Sequence, residues 1–308
     1  MKIARYAVLA AVWCSLSFGM LTPGHAAETK DIVLKGDAKC TACHDEADAP
    51  EMLAIGKTRH GVKADSRTPT CTNCHGDSSA HADYKGKDKP PKPDATFGKK
   101  SGTTAQAQSD SCMGCHKSGK RIHWPGSQHQ SRDVACTACH AIHTSHDKVL
   151  RKSTQAEVCF SCHKEQRAQI NKPSHHPIKE GKVACSDCHN SHGSAGPSLM
   201  VRDSVVDTCY TCHMEKRGPF VRSHQPVTED CSICHNAHGT SNDNLLKVRA
   251  PFLCQQCHEP SSHRGGIASL NGTSTGANTV ARGCLNCHTQ IHGTNNPANI
   301  SNERTFRR

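Results

Sequence analysis

Ten copies of the pattern Cys-x-x-Cys-His run through the chain and use 20 of its 21 cysteines. This pattern is typical of c-type haem attachment, in which both thiols add covalently to the porphyrin and the histidine binds the iron. Zinc knuckles also use paired cysteines, but they give no reason for a histidine directly after every second cysteine. A thioredoxin-like redox site needs one Cys-x-x-Cys, and a disulfide framework needs no adjacent histidine. The sequence therefore predicts ten covalently attached haems c.

The predicted attachment residues form two sets. The cofactor-binding cysteines are Cys40, Cys43, Cys71, Cys74, Cys112, Cys115, Cys136, Cys139, Cys159, Cys162, Cys185, Cys188, Cys209, Cys212, Cys231, Cys234, Cys254, Cys257, Cys284 and Cys287. The proximal iron ligands are His44, His75, His116, His140, His163, His189, His213, His235, His258 and His288.

Each iron still has one axial position to fill, and histidines outside the motifs are in excess. Some follow a motif as Cys-His-x-x-His or at a variant of that spacing, and others lie between the two motifs of a pair. The distal ligands predicted from this register are His60, His81, His129, His143, His176, His192, His224, His238, His263 and His292. His123, His146 and His175 break the register and are not expected to bind iron. We expect two imidazoles on every iron rather than Met/His ligation, and therefore low reduction potentials. The spacing does not tell which distal histidine serves which haem.

The motifs come in pairs, and the pairs repeat along the chain. The five predicted di-haem units begin near residues 40, 112, 159, 209 and 254. Repetition at this period predicts a quasi-linear array in which each unit packs on its neighbours. We expect a mostly irregular fold with short α-helices, that is, an extended multihaem c-type cytochrome with a haem-packed core. A Lys/Pro-rich loop is predicted at residues 85–100.

The composition makes the haems part of the core. Apolar residues are only 34% of the chain and aromatic residues 4%, which would usually indicate disorder. Ten large apolar cofactors reverse that interpretation, and the chain without haem is not expected to fold. The formal charge of +11 is also misleading, because oxidised haems with ionised propionates cancel nearly all of it. The net charge therefore does not support nucleic-acid binding, and no nucleic-acid partner is expected.

Residues 1–26 have the pattern of a cleaved secretory signal peptide. Lys2 and Arg5 precede an apolar run, and Gly24-His25-Ala26 offers small residues for cleavage. Residues 27–308 would then form the decahaem domain, located in the periplasm. No later segment of the sequence has 18 consecutive apolar residues.

The chain resembles the MtrA/DmsE family of decahaem c-type cytochromes, the periplasmic components of porin–cytochrome conduits. The resemblance rests on the ten-motif spacing and on the stretches 183–190 (VACSDCHN), 209–213 (CYTCH), 215–219 (EKRGP) and 254–258 (CQQCH). It implies bis-histidine ligation at all ten haems and a place partly inside an outer-membrane β-barrel porin. The implied partners are an extracellular multihaem cytochrome or terminal reductase and periplasmic or inner-membrane cytochrome donors.

These observations favour an electron carrier that relays electrons between periplasmic donors and the outer membrane. Such a relay could serve extracellular respiration, for example on metals or dimethyl sulfoxide, or it could run in reverse. A soluble periplasmic shuttle to a periplasmic reductase is the alternative. A multihaem reductase is disfavoured, because every motif ends in histidine and distal histidines are in surplus. Direction of flow and the terminal acceptor stay open.

Overall fold

A computed structural model describes residues 37–62, 65–258 and 283–296 of the chain. The proposed signal peptide, residues 1–26, and the predicted ligand His263 lie outside the described residues. Within the described ranges, no helix is long and apolar enough to cross a membrane.

Short helices separated by irregular segments make up the described chain, as the sequence predicts. The α-helices are α1 (Ala38–Thr41), α2 (Pro50–Leu53), α3 (Cys71–His75), α4 (Ser79–Ala82), α5 (Ala105–Met113), α6 (Lys152–Cys159), α7 (Lys164–Gln169), α8 (Cys185–Cys188), α9 (Val205–Tyr210), α10 (Gln225–Glu229), α11 (Phe252–Gln255) and α12 (Cys284–Cys287). The 3₁₀ helices are Ala54–Lys57, Arg59–Gly61, Gly119–Arg121, Gln130–Arg132, Cys136–Ala138, Lys148–Leu150, Pro197–Leu199, Met214–Lys216, Cys231–Ile233 and Asp243–Leu245. Helices this short are not stable alone in water, so other contacts must hold them.

Each motif forms one helical turn, and a backbone bond closes that turn. In the third motif, for example, the N–H of His116 donates to the carbonyl of Cys112 at 2.9 Å. The same bond from histidine to first cysteine closes eight further motifs, and the remaining motif is helix α3. Residues four apart lie on one face of a helical turn, so the first cysteine and the histidine of each motif face the same way.

Hydrocarbon packing contributes little to the interior. The buried apolar residues in the described part are Ala49, Trp124, Ala135, Ile170, Ala184 and Val206, and buried polar residues outnumber them. So few apolar side chains cannot stabilise a domain of this length. The composition predicts that the haems supply the rest of the core.

Buried polar side chains join the two motifs within a pair. In three pairs, a side-chain oxygen one turn before the first motif accepts a hydrogen bond from the start of the second motif. These bonds join Cys71 to Asp37 at 2.6 Å, Thr137 to Gln108 at 2.8 Å and Ser186 to Gln155 at 2.9 Å. Such bonds fix the two motifs against each other.

Sheet structure among the described residues is limited to one pair of two-residue strands and three isolated bridges, and two of these contacts join neighbouring units. Strands β1 (Arg222–Ser223) and β2 (Gly293–Thr294) pair antiparallel, with Arg222 opposite Thr294. An isolated bridge joins Ser174 to Thr240 in the same way, one unit earlier. Each contact joins residues just before one predicted distal histidine to residues just after another. These histidines are His224 and His292 for the strands, and His176 and His238 for the bridge.

Candidate haem centres

The structure brings the predicted histidines together two by two. In every described pair, one ring belongs to a Cys-x-x-Cys-His motif and the other is a predicted distal ligand. The pairs are His44–His81, His116–His60, His75–His143, His140–His192, His163–His129, His189–His238, His213–His176, His235–His292 and His258–His224. Their ring centres are 6.0 to 6.2 Å apart.

That spacing fits one metal ion between the two rings. An imidazole nitrogen lies about 1.1 Å from its ring centre and a metal–imidazole bond measures about 2.0 Å, so two opposed ligands have ring centres about 6.2 Å apart. The angles between ring planes range from 4° to 83°, and two axial ligands can rotate in this way about their common axis. The nine sites therefore fit a haem iron held from both sides, with two cysteines beside it for covalent attachment.

Most histidine pairs join two units, and they follow a rule. A histidine between the motifs of one unit pairs with the first motif of the next unit, as His129 does with His163. A histidine after the second motif pairs with the second motif of the preceding unit, as His192 does with His140. Each of the four junctions therefore exchanges two histidines reciprocally. The first motif is different, because His44 pairs with His81 of its own unit.

Hydrogen bonds at Nδ1 orient these rings. Seven of the paired histidines place Nδ1 at 2.7 to 2.9 Å from a backbone carbonyl oxygen. The bonds are His75 to Ala95, His81 to Pro91, His129 to Ser191, His143 to Met52, His176 to Ala237, His189 to Ser198 and His235 to Asn244. A carbonyl only accepts, so Nδ1 carries the proton and Nε2 is left as the metal-binding nitrogen.

One paired histidine has a different partner. Nδ1 of His140 lies 2.7 Å from Oδ2 of Asp147, a carboxylate. The sequence analysis did not identify Asp147. In the sequence, Asp147 is marked only by its position seven residues after the motif histidine His140.

Burial keeps several of these imidazoles neutral. It lowers the pKa of His192 to about 4. It also lowers the pKa of His116, His224, His238 and His292 below the ordinary value. The neutral ring is the form that binds a metal, so these side chains are ready to ligate at neutral pH.

The three surplus histidines occur in none of the ring pairs among the described residues. Nδ1 of His175 bonds to the carbonyl of Lys172 at 2.6 Å, and its Nε2 lies 3.7 Å from Glu180. The ring of His146 is exposed and bonds to the adjacent carbonyl of Ser145. Ligation at the ten selected positions and its absence at these three stay predictions of the sequence, and this geometry supports them.

The first cysteines of the two motifs within a pair contact each other. The thiols of Cys112 and Cys136, the first cysteines of one pair, share a hydrogen bond that lowers the pKa of Cys136 to about 6 and raises that of Cys112. The same contact joins Cys40 to Cys71, Cys159 to Cys185, Cys209 to Cys231 and Cys254 to Cys284.

Second cysteines lie near one another across the junctions between pairs. Burial and the nearby Cys115 thiol raise the pKa of Cys74. The corresponding neighbours are Cys139 and Cys162, Cys188 and Cys212, and Cys234 and Cys257. The attachment sites therefore follow one another in space in the order of the sequence.

Comparison with known proteins agrees with this site. The family described as doubled CXXCH motif matches residues 175–218 and 224–263, and the family of NrfB-like c-type cytochromes matches residues 71–154. The multiheme cytochrome MtrA of Shewanella baltica is 46% identical over 274 residues, which cover 86% of this chain and 80% of that protein. The cytochrome c-type protein NrfB of Escherichia coli is 31% identical over 140 residues, covering 44% of this chain and 69% of that protein.

Proposed function

Because the chain belongs to the MtrA family of multihaem c-type cytochromes, we propose that it binds ten bis-histidine haems c in one row and conducts electrons along it. Its membership of this family makes it an electron-transfer protein with covalently bound haem. The number of haems, their ligation and their arrangement as five di-haem units are our proposal. The observation that carries it is the set of nine histidine pairs spaced for one iron each.

The protein residues would close every iron to substrate. When bound, each haem supplies one iron that can hold or release one electron. Two imidazoles would hold each iron, so no small molecule could reach the metal. His263 would complete the tenth centre with His288, because the other nine distal histidines are already paired. A fully ligated set favours conduction over catalysis.

The cysteine contacts would set the order of the row. First cysteines contact each other within a unit and second cysteines lie near each other between units, so the attachment sites would run from the first motif to the tenth without a branch. Electrons would enter and leave at the two ends, near His44 and near His288. The direction of flow follows from the redox partners at those ends.

We further propose that the row works as a conduit at the outer membrane. The relationship to MtrA supports a periplasmic location and association with an outer-membrane β-barrel porin and other multihaem cytochromes. Its partners would be periplasmic or inner-membrane cytochrome donors on one side and an extracellular cytochrome or reductase on the other. A barrel would insulate the row from the lipid.

Purification of the holoprotein from bacterial membranes tests these points together. We expect an intact mass with ten covalent haems, low-spin ferric EPR signals accounting for all ten irons, and co-purification with an outer-membrane barrel. A high-spin signal of one full iron would contradict the closed sites and point to a reductase. Ten low-spin haems in a protein found only in the soluble periplasmic fraction would contradict the conduit and favour the shuttle.

A further inference from the structure

Asp147 distinguishes one haem centre from its neighbours. Of the eight paired histidines with a described Nδ1 hydrogen bond, seven bond to a neutral backbone carbonyl and His140 bonds to a carboxylate. The Nδ1–Oδ2 distance is 2.7 Å, and the two side chains are 28% and 12% exposed. The bond is therefore short and largely shielded from solvent.

The neighbouring backbone holds this carboxylate in place. Oδ1 of Asp147 accepts from the N–H of Val149 at 3.3 Å and from the N–H of Ala141 at 3.4 Å. The first of these bonds caps the 3₁₀ helix Lys148–Leu150. Oδ2 is left to the imidazole, so the Asp147 side chain cannot turn away without losing its cap.

A carboxylate acts on a ligand imidazole more strongly than a carbonyl does. It draws the Nδ1 proton toward itself and makes Nε2 more basic, which strengthens the bond to the metal. A more basic ligand stabilises the ferric iron more than the ferrous iron, because the ferric iron carries the greater charge. The reduction potential of that centre falls.

We propose that Asp147 is a positioning residue which, acting through His140, lowers the reduction potential of the fourth haem in the row. This inference rests on the proposed function, in which His140 and His192 ligate that iron. The fourth centre would then be harder to reduce than the centres whose proximal histidines bond to carbonyls. In a row without branches, electrons must pass this centre to move between the first three positions and the last six.

Positive groups near the same centre act in the opposite direction but less directly. Arg121 and Lys120 approach His192, and Lys99 approaches Cys139. None of them has a described bond to a ligand nitrogen, and the exposed lysines are screened by water. The hydrogen bond of 2.7 Å between His140 and Asp147 therefore has the larger effect, and the net result is a lower reduction potential.

Glu215 provides a matched comparison within the same chain. Its Oε1 lies 3.7 Å from Nδ1 of the proximal His213, and the two side chains are 60% and 55% exposed. That distance is too long for a hydrogen bond, and solvent screens the charge. Glu215 should hardly affect its centre.

The test uses the full-length holoprotein with Asp147→Asn and Glu215→Gln, each titrated by spectroelectrochemistry. Asn has no charge and only one oxygen, so it can keep the acceptor for His140 but loses the acceptor for the N–H groups of Val149 and Ala141. We expect Asp147→Asn to favour reduction of one of the ten haems by at least tenfold, which is 59 mV for a one-electron couple. The other nine potentials and all ten in Glu215→Gln should stay unchanged. Ten unshifted potentials in Asp147→Asn would overturn the proposal.

A second pair of variants covers the case in which Asp147→Asn does not assemble. The side chains in Asp147→Glu and Asp147→Gln have equal length, and only the first is charged. The Gln variant should therefore have the higher reduction potential at one haem. Equal potentials in the two variants would refute the inference. Intact mass and EPR on the same samples distinguish a failure of the proposed function from a failure of the role of Asp147. Missing or high-spin haem in the wild type contradicts the proposed function, whereas ten low-spin haems with unshifted potentials contradict only the role of Asp147.

Discussion

Nδ1 of His129 lies 2.8 Å from the carbonyl oxygen of Ser191, the residue immediately before His192. The two histidines face different partners, since His129 pairs with His163 and His192 pairs with His140. One backbone contact therefore links the histidines of two successive pairs. The bond from His176 to the carbonyl before His238 repeats this relationship one unit later.

Replacing a paired histidine should open a single iron. His176→Ala removes the ring that lies 6.2 Å from His213. We expect one of ten irons to become high-spin in the EPR spectrum, because no second imidazole remains on that side. The adjacent His175→Ala is the control, since His175 bonds to Lys172 and lies beside Glu180 instead. A high-spin iron in His175→Ala would reverse the assignment of the two residues.

A side chain at Gly239 should disrupt the junction between the third and fourth units. Its φ is +145°, and an added Cβ would overlap the carbonyl of Gln169. Gly126→Ala is the control, because Gly126 also has a positive φ, +81°, but open space around it. Both substitutions strain the backbone, and only Gly239→Ala also adds a backbone overlap. Thermal unfolding of the holoproteins should show a clearly lower Tm for Gly239→Ala, and equal Tm values would exclude a tight junction.

Gln155→Ala should destabilise the third unit. The side chain of Gln155 accepts from the N–H of Ser186 and donates to the carbonyl of Val149, so both groups lose their partner. A buried group without its partner costs about 1–3 kcal/mol. We expect a loss of about 2 kcal/mol in the free energy of unfolding by guanidinium chloride. Gln225→Ala, which removes only an exposed bond to Glu229, should change it by less than about 0.5 kcal/mol.

Asp37 should make stability depend on pH in an unusual direction. It is fully buried, and burial raises its pKa above the ordinary value. The folded state therefore holds this proton more tightly than the unfolded chain does. The stabilisation is complete at pH values below the unfolded pKa and is lost as pH rises through the raised folded pKa.

Asp37→Asn keeps the acceptor for Cys71 and removes the charge. We expect the variant to be more stable than wild type at pH 7, with a difference that shrinks toward pH 4 in thermal unfolding. Asp65→Asn is the control of opposite sign, because the hydrogen bond from Arg67 lowers the pKa of Asp65 to about 2. Its small contribution is present above the ordinary pKa and disappears as the pH falls toward 2. If the stability difference between wild type and Asp37→Asn did not change with pH, the raised pKa of Asp37 would be refuted.

Local features could be predicted from the sequence, and distant ones could not. The helical turn of each motif depends on residues four apart, and the short irregular fold follows from a composition too polar for hydrocarbon packing. The partner of a histidine depends on contacts across units, such as His143 with Met52, which are 91 residues apart. The Lys/Pro-rich loop at residues 85–100 is an example of both. The composition predicts a loop there, but the bond from His81 to the Pro91 carbonyl has no signal in the spacing.

The reciprocal exchange of histidines bears on how such a chain can change in length. An internal repeat gives one imidazole to the repeat before it and one to the repeat after it, and it receives the same in return. Duplicating an internal repeat would leave every iron fully supplied, whereas cutting the gene between two repeats would strip a ligand from both fragments. Growth by tandem duplication is therefore structurally permitted, and division into independent modules is not.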